Sequence, residues 1–247
     1  MLIDCHCHLE LLKDINGVIE RAREKRVGII VYNSVNLETM RYALKLSEEY
    51  DEVKVALGIY PIDALKLGDK ELDENIEFIR KNKDKIIAIG EIGIDLKENK
   101  DTEKQKINFI KFLKLAKELN LPVIIHSRKA ENEVTDILEK ENMKNVVMHC
   151  FNGNFRLIDK IVSNGWMLTI PTNVTYSEHF QKVIEKVDIK NLLCETDSPF
   201  LHFIKGERNN EPANVVESYR KIAEIKKLDL DYVEKIIEEN FNRLFSR

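Results

Sequence analysis

Short apolar runs alternate with longer charged stretches along the whole chain. Runs of strand length recur at Leu2–His6, Val27–Tyr32, Val53–Ile59, Ile86–Glu91, Leu121–His126, Asn145–His149, Gly165–Ile170 and Asn191–Glu195. Several are almost wholly apolar, such as Val-Gly-Ile-Ile-Val and Pro-Val-Ile-Ile, which suits strands buried on both faces of a parallel sheet. Between them, apolar residues recur at helical spacing. Ile107, Ile110, Leu113, Ala116 and Leu119 form one stripe, and Leu230, Val233, Ile237, Phe241 and Leu244 form another; each predicts an amphipathic helix. Asp229 stands where the last of these helices wants an N-cap.

Eight strands alternating with helices over about 250 residues match the size and rhythm of a (β/α)8 TIM barrel. An open doubly wound sheet would carry a glycine-rich phosphate loop after its first strand. Here that strand runs into His-Cys-His-Leu-Glu, so the barrel is expected. No Pro/Gly/Ser-rich linker or low-complexity segment interrupts the chain, and residues 1–247 read as a single domain.

Composition narrows the setting. Charged residues make up 33% of the 247 positions, against about 25% in typical soluble domains. That excess resembles the ion-pair networks of heat-adapted proteins. The net charge of -4 argues against a protein that coats nucleic acid, which usually carries a basic stripe; a nucleic-acid substrate would have to be gripped locally. The cysteines Cys5, Cys7, Cys150 and Cys194 contain no CxxC pair, so no disulfide framework is expected. No apolar run approaches the ~20 residues of a membrane span. A cytoplasmic protein without membrane contact is the expectation.

The candidate chemistry lies at the ends of the strands. His6 and His8, two residues apart on an extended strand, project from the same face. Strand four ends Gly-Glu91-Ile-Gly-Ile-Asp95, strand five ends His126-Ser-Arg128, strand six ends His149-Cys150, and strand eight ends Glu195-Thr-Asp197. In a barrel the C-terminal strand ends share one rim. Polar groups at the ends of such apolar strands are costly unless something satisfies them, and His and carboxylate groups are ligands for divalent metals. Four histidines and several carboxylates exceed the three ligands that one catalytic zinc takes from protein, so two ions are expected. Of the remaining histidines, His179 and His202 fall in helix or loop and are read as ordinary surface residues.

With these residues in view, the chain resembles the TatD family of metal-dependent hydrolases, among the amidohydrolase-like barrels. The resemblance runs through Asp4-Cys-His-Cys-His-Leu, Gly90-Glu-Ile-Gly-Ile-Asp95, Pro122-Val-Ile-Ile-His-Ser-Arg128, His149-Cys-Phe-Asn-Gly153, Glu195-Thr-Asp-Ser-Pro199, Asn210-Glu-Pro212 and Asn240-Phe-Asn-Arg-Leu-Phe245. It implies that His6, His8 and Asp197 hold one metal, that His126 and His149 hold the other, and that Glu91 bridges, with Asp197 taking the proton of an activated water. It implies two divalent ions (Mg, Mn or Zn) and hydrolysis of phosphodiester bonds in DNA, a deoxyribonuclease activity. Arg128 and Arg208 are candidates to hold substrate phosphate by bidentate hydrogen bonds. One departure stands out: the family's Gly-x-His-Pro is Gly58-Ile-Tyr60-Pro61 here, which puts Tyr60 where a substrate contact is implied.

Two other readings compete. Related barrels cleave C–N or C–O bonds of small substrates, many with a carboxylated lysine where this chain has Glu91. A metal-binding scaffold with little turnover is the other; purely structural zinc sites, however, are closed four-ligand sites.

Overall fold

The computed structural model describes residues 1–246. In chain order the strands are β1 (Leu2–Cys7), β2 (Val27–Asn33), β3 (Val53–Leu57), β4 (Ala88–Gly93), β5 (Val123–His126), β6 (Val146–Met148), β7 (Met167–Pro171) and β8 (Leu192–Glu195). The α-helices are α1 (Ile15–Glu24), α2 (Leu37–Glu49), α3 (Pro61–Lys66), α4 (Asp69–Lys81), α5 (Thr102–Leu119), α6 (Glu131–Lys140), α7 (Phe155–Ser163), α8 (Glu178–Lys186), α9 (Val216–Lys226) and α10 (Leu230–Phe245). Each apolar run identified in the sequence forms a strand, shifted at its ends by a few residues. The sheet follows chain order from β1 to β8, and its β1–β2, β3–β4, β4–β5, β5–β6 and β7–β8 pairings are parallel. β1 meets β8 through a parallel bridge between Cys7 and Ser198. The expected (β/α)8 barrel is the fold.

The chain divides into two compact units. The first comprises residues 1–32, 47–54 and 167–247. Here β1 is buried along its whole length, as a strand covered on both faces must be. Tyr219 of α9 is fully buried; its hydroxyl donates to the Ile3 carbonyl at 3.1 Å and accepts from the Ile3 N–H at 2.9 Å. From α10, Asn240 donates to the carbonyls of Ile189 and Leu192, each at 2.8 Å, which pins the entry of β8. Asp229 precedes α10 as expected, but its side chain makes no capping hydrogen bond; only its carbonyl joins the helix, accepting from Val233 at 3.1 Å.

The second unit comprises residues 33–46 and 55–166. Its core includes Phe109, Phe112, Leu113 and Ala116 of α5. The inner face of α5 differs from the stripe read in the sequence, for Ile107 is 58% exposed. Two phenylalanines bury more area than one isoleucine. Two amides on the same face also have partners there: Asn108 donates to the Ala64 carbonyl at 3.3 Å, and Gln105 clamps the backbone of Asp95. Burial of Gln105 and Asn108 is tolerated because their polar atoms are satisfied.

Candidate metal centre

In the first unit, His6 and His8 stand at the end of β1 and Asp197 follows β8. The two ends are tied by backbone: Asp197 N–H donates to the His6 carbonyl, and His8 N–H to the Ser198 carbonyl, both at 2.9 Å. Asp197 has φ 52°, a left-handed conformation that aspartate tolerates better than most residues. Its Oδ1 lies 3.7 Å from His6 Nε2 and 3.5 Å from His8 Nε2, and the two Nε2 atoms are 3.2 Å apart. These three atoms form a compact triangle. Ligands about 2.0–2.1 Å from a tetrahedral ion stand roughly 3.3 Å from one another, so the donor set fits a single divalent cation. His6 is fully buried, and His8 is 6% exposed.

Beneath this triad lies Asp4, wholly buried on β1. Its Oδ1 accepts the Thr196 N–H at 2.8 Å and its Oδ2 meets the Thr196 hydroxyl at 2.6 Å. Burial pushes its carboxyl up to about 8 against those hydrogen bonds. Asn210, also buried, donates to Thr172 Oγ1, the Thr196 carbonyl and the Phe200 carbonyl at 2.9, 2.9 and 2.8 Å. The loop after β8 is thus anchored by buried polar contacts, while its Phe200 and Ile204 side chains are exposed. Phe200 is 53% exposed, with its ring 6.4 Å from that of His8.

In the second unit a second triad forms. Glu91 lies in β4, His126 ends β5, and His149 follows β6. Glu91 Oε1 is 2.7 Å from His126 Nδ1 and 3.8 Å from His149 Nε2. One ligand atom from each residue falls within 4.8 Å of the others. The close approach of β4 and β5 depends on Gly93, paired with His126: at φ 150°, a Cβ there would lie 1.9 Å from the His126 carbonyl oxygen. Gly58 has a matching part, since its Cβ would meet the Gly90 carbonyl carbon at 2.6 Å and the Glu91 oxygen at 2.7 Å.

Asp95, which the sequence places beyond β4 without a role, proves to be the hub of this triad's surroundings. His126 Nε2 lies 2.9 Å from Asp95 Oδ2, Tyr60 OH donates to the same oxygen at 2.6 Å, and Arg128 Nε is 3.0 Å from it. Burial would raise the Asp95 carboxyl, but the hydrogen bonds from His126, Tyr60 and the Glu98 N–H hold it below the usual carboxylate range. Burial and that same carboxylate push the Tyr60 hydroxyl up. For His126, burial acts downward, yet Asp95 and Glu91 win and raise it.

Tyr60 and Arg128, expected beside substrate, are therefore both engaged with Asp95; Arg128 also pairs with Glu98. Arg208 is exposed on the loop after β8. His179 packs edge-on against Phe180, His202 stacks on Phe203, and both stand outside both triads. All four cysteines are free thiols, three of them buried.

The comparisons with known proteins bear directly on this geometry. The profile of the family described as TatD related DNase matches residues 3–246. The chain belongs to the TatD family. It is 37% identical to an uncharacterized metal-dependent hydrolase of Methanocaldococcus jannaschii, over 99% of this chain and 97% of that one. It is 31% identical to a human protein named deoxyribonuclease TATDN3, over 100% of this chain and 95% of that one. Among solved structures, the TatD homologue YjjV of Escherichia coli superposes with a TM-score of 0.93 at 28% identity, covering 100% of this chain and 98% of that chain. The chain is thus a metal-dependent hydrolase of this family. No helix among the described residues is long and apolar enough to cross a membrane.

Proposed function

We propose that this protein is a phosphodiesterase that cleaves DNA, with one divalent ion (Mg, Mn or Zn) in each triad. The observation that carries the reading is the presence of a compact His/carboxylate triad in each unit of a TatD-family chain. His6, His8 and Asp197 would hold one ion; Glu91, His126 and His149 would hold the other. When bound, such ions supply Lewis acidity to a phosphoryl oxygen and to the attacking water.

The chain's own residues do the rest. Asp197, the carboxylate of the first triad, takes the proton of the water. Buried Asp4, hydrogen-bonded to Thr196, supports the loop that carries it. Arg208, exposed and cationic, offers a phosphate contact, while Arg128 and Tyr60 act chiefly through Asp95. Phe200 beside His8 offers a stacking surface for a base next to the scissile phosphate, a contact that tolerates any sequence. A net charge of -4 gives little long-range attraction for a long polyanion, which favours a strand end or a short phosphodiester. The deoxyribonuclease name of the human relative agrees with this substrate class.

The test is a metal-supplemented screen of single- and double-stranded DNA, RNA, small phosphodiesters, esters and amides. Phosphodiester cleavage that depends on added metal supports the reading. Turnover confined to esters or amides moves the protein to the C–O and C–N branch of these barrels, and bound metal without turnover of any class favours a scaffold.

A further inference from the structure

Five groups converge on the Asp95 carboxylate. Oδ2 meets Tyr60 OH, His126 Nε2 and Arg128 Nε at 2.6, 2.9 and 3.0 Å. Oδ1 accepts the backbone N–H groups of Lys97 and Glu98 at 2.8 and 2.9 Å. Backbone N–H and guanidinium groups can only donate. Saturated in this way, the carboxylate has room only to accept, so the Nε2 of His126 facing it carries a hydrogen. An imidazole that ligates an ion keeps one ring hydrogen; with that hydrogen on Nε2, the nitrogen left for an ion is Nδ1, the atom 2.7 Å from Glu91 Oε1.

We propose that Asp95 is the positioning residue of the second triad: it holds the Nε2 hydrogen of His126 and so assigns Nδ1, the nitrogen beside Glu91, to the metal ion. A ligating histidine commonly gives its second nitrogen to a carboxylate, which fixes both ring angle and tautomer. Three features hold Asp95 and His126 to this task. Tyr60 donates to Asp95, and its ring packs edge-on against His126 at 5.0 Å and 72°. Gln105 of α5 accepts the Asp95 N–H at 2.7 Å and donates to its carbonyl at 3.1 Å. Arg128 approaches Oδ2 as well, so the two side chains expected at substrate also brace the metal ligand. The proposal rests on the reading of Glu91, His126 and His149 as a metal site, and its test separates the two.

The experiment is NMR on the full chain labelled with 15N-histidine and loaded with 113Cd. The expected result is scalar coupling between cadmium and Nδ1 of His126. Asp95→Asn, whose amide can donate to Nε2, should remove that coupling or move it to Nε2, and weaken cadmium binding by about 10–100-fold. Tyr60→Phe keeps the carboxylate and guards against a failure of Asp95→Asn to fold; it should retain the Nδ1 coupling with a smaller loss of affinity. Coupling through Nε2 in the unmutated protein overturns the proposal. Should cadmium couple to no histidine of this triad, the metal reading fails, and the metal-free spectrum at a pH where the imidazole is neutral decides the positioning role: a hydrogen on Nε2 upholds it, and one on Nδ1 overturns it.

Discussion

Asp197 donates its backbone N–H to the carbonyl of His6 at 2.9 Å, while its carboxylate stands 3.7 Å from the same residue's imidazole. One residue of the last strand's loop thus grips the first strand twice, once by backbone and once across the candidate ion site. The left-handed conformation at Asp197 makes both grips possible. Asparagine also tolerates that conformation and leaves the backbone bond intact. Compared without metal, Asp197→Asn should therefore fold with a stability change of about 1 kcal/mol or less, yet with metal it should lose the ion of the first triad. Elemental analysis of the purified variant would show about one ion per chain where the unmutated protein holds about two.

Chelation should lower the melting temperature. The donor atoms of each triad are brought together by the fold, so an ion there binds the native state and not the unfolded one. An ion at about 100 times its Kd adds roughly 2.7 kcal/mol, or on the order of 5–10 °C for a chain of this size. Calorimetry with and without EDTA measures the shift; no shift at saturating metal would mean that the triads do not bind it.

Asn210 joins three parts of the first unit, with acceptors on Thr172, Thr196 and Phe200, and it is fully buried. Asn210→Ala leaves these acceptors without their donor and should cost about 1–3 kcal/mol, read from urea unfolding. The loop that carries Asp197 should also become more susceptible to proteolysis between β8 and α9, because its carbonyls at 196 and 200 lose their anchor.

Gly58→Ala tests the packing behind Glu91. The new Cβ would sit 2.6–2.9 Å from backbone atoms of Gly90 and Glu91, where no flexible side chain can yield. Overpacking of this kind costs about 1–3 kcal/mol. The displaced Glu91 should weaken metal binding at the second triad while the first keeps its affinity, a difference that metal titration resolves.

The fold was legible because its strands are nearly uninterrupted apolar runs, a pattern that survives an error of a few residues at each end. The triad residues were legible for a related reason: His6, Glu91, His126 and His149 lie at or near the ends of such runs, where a polar side chain needs a partner. The part of Asp95 was not. Its meaning depends on the convergence of Tyr60 from the end of β3 with His126 and Arg128 from the end of β5, and no spacing along the chain encodes that meeting. The same holds for α5, where periodicity marks an apolar stripe but cannot weigh Phe109 and Phe112, with the satisfied amides of Gln105 and Asn108, against an exposed Ile107. Asp229 shows a smaller version: the residue type fits an N-cap, but only the backbone takes part.

The assay that bears most directly on the central claim compares the unmutated protein with Glu91→Ala on single-stranded DNA in the presence of added Mg, Mn or Zn. Metal-dependent cleavage by the unmutated protein, lost by at least about 100-fold in Glu91→Ala with its fold intact, is the expected result. Full turnover by Glu91→Ala would contradict the proposal that cleavage needs an ion in each triad.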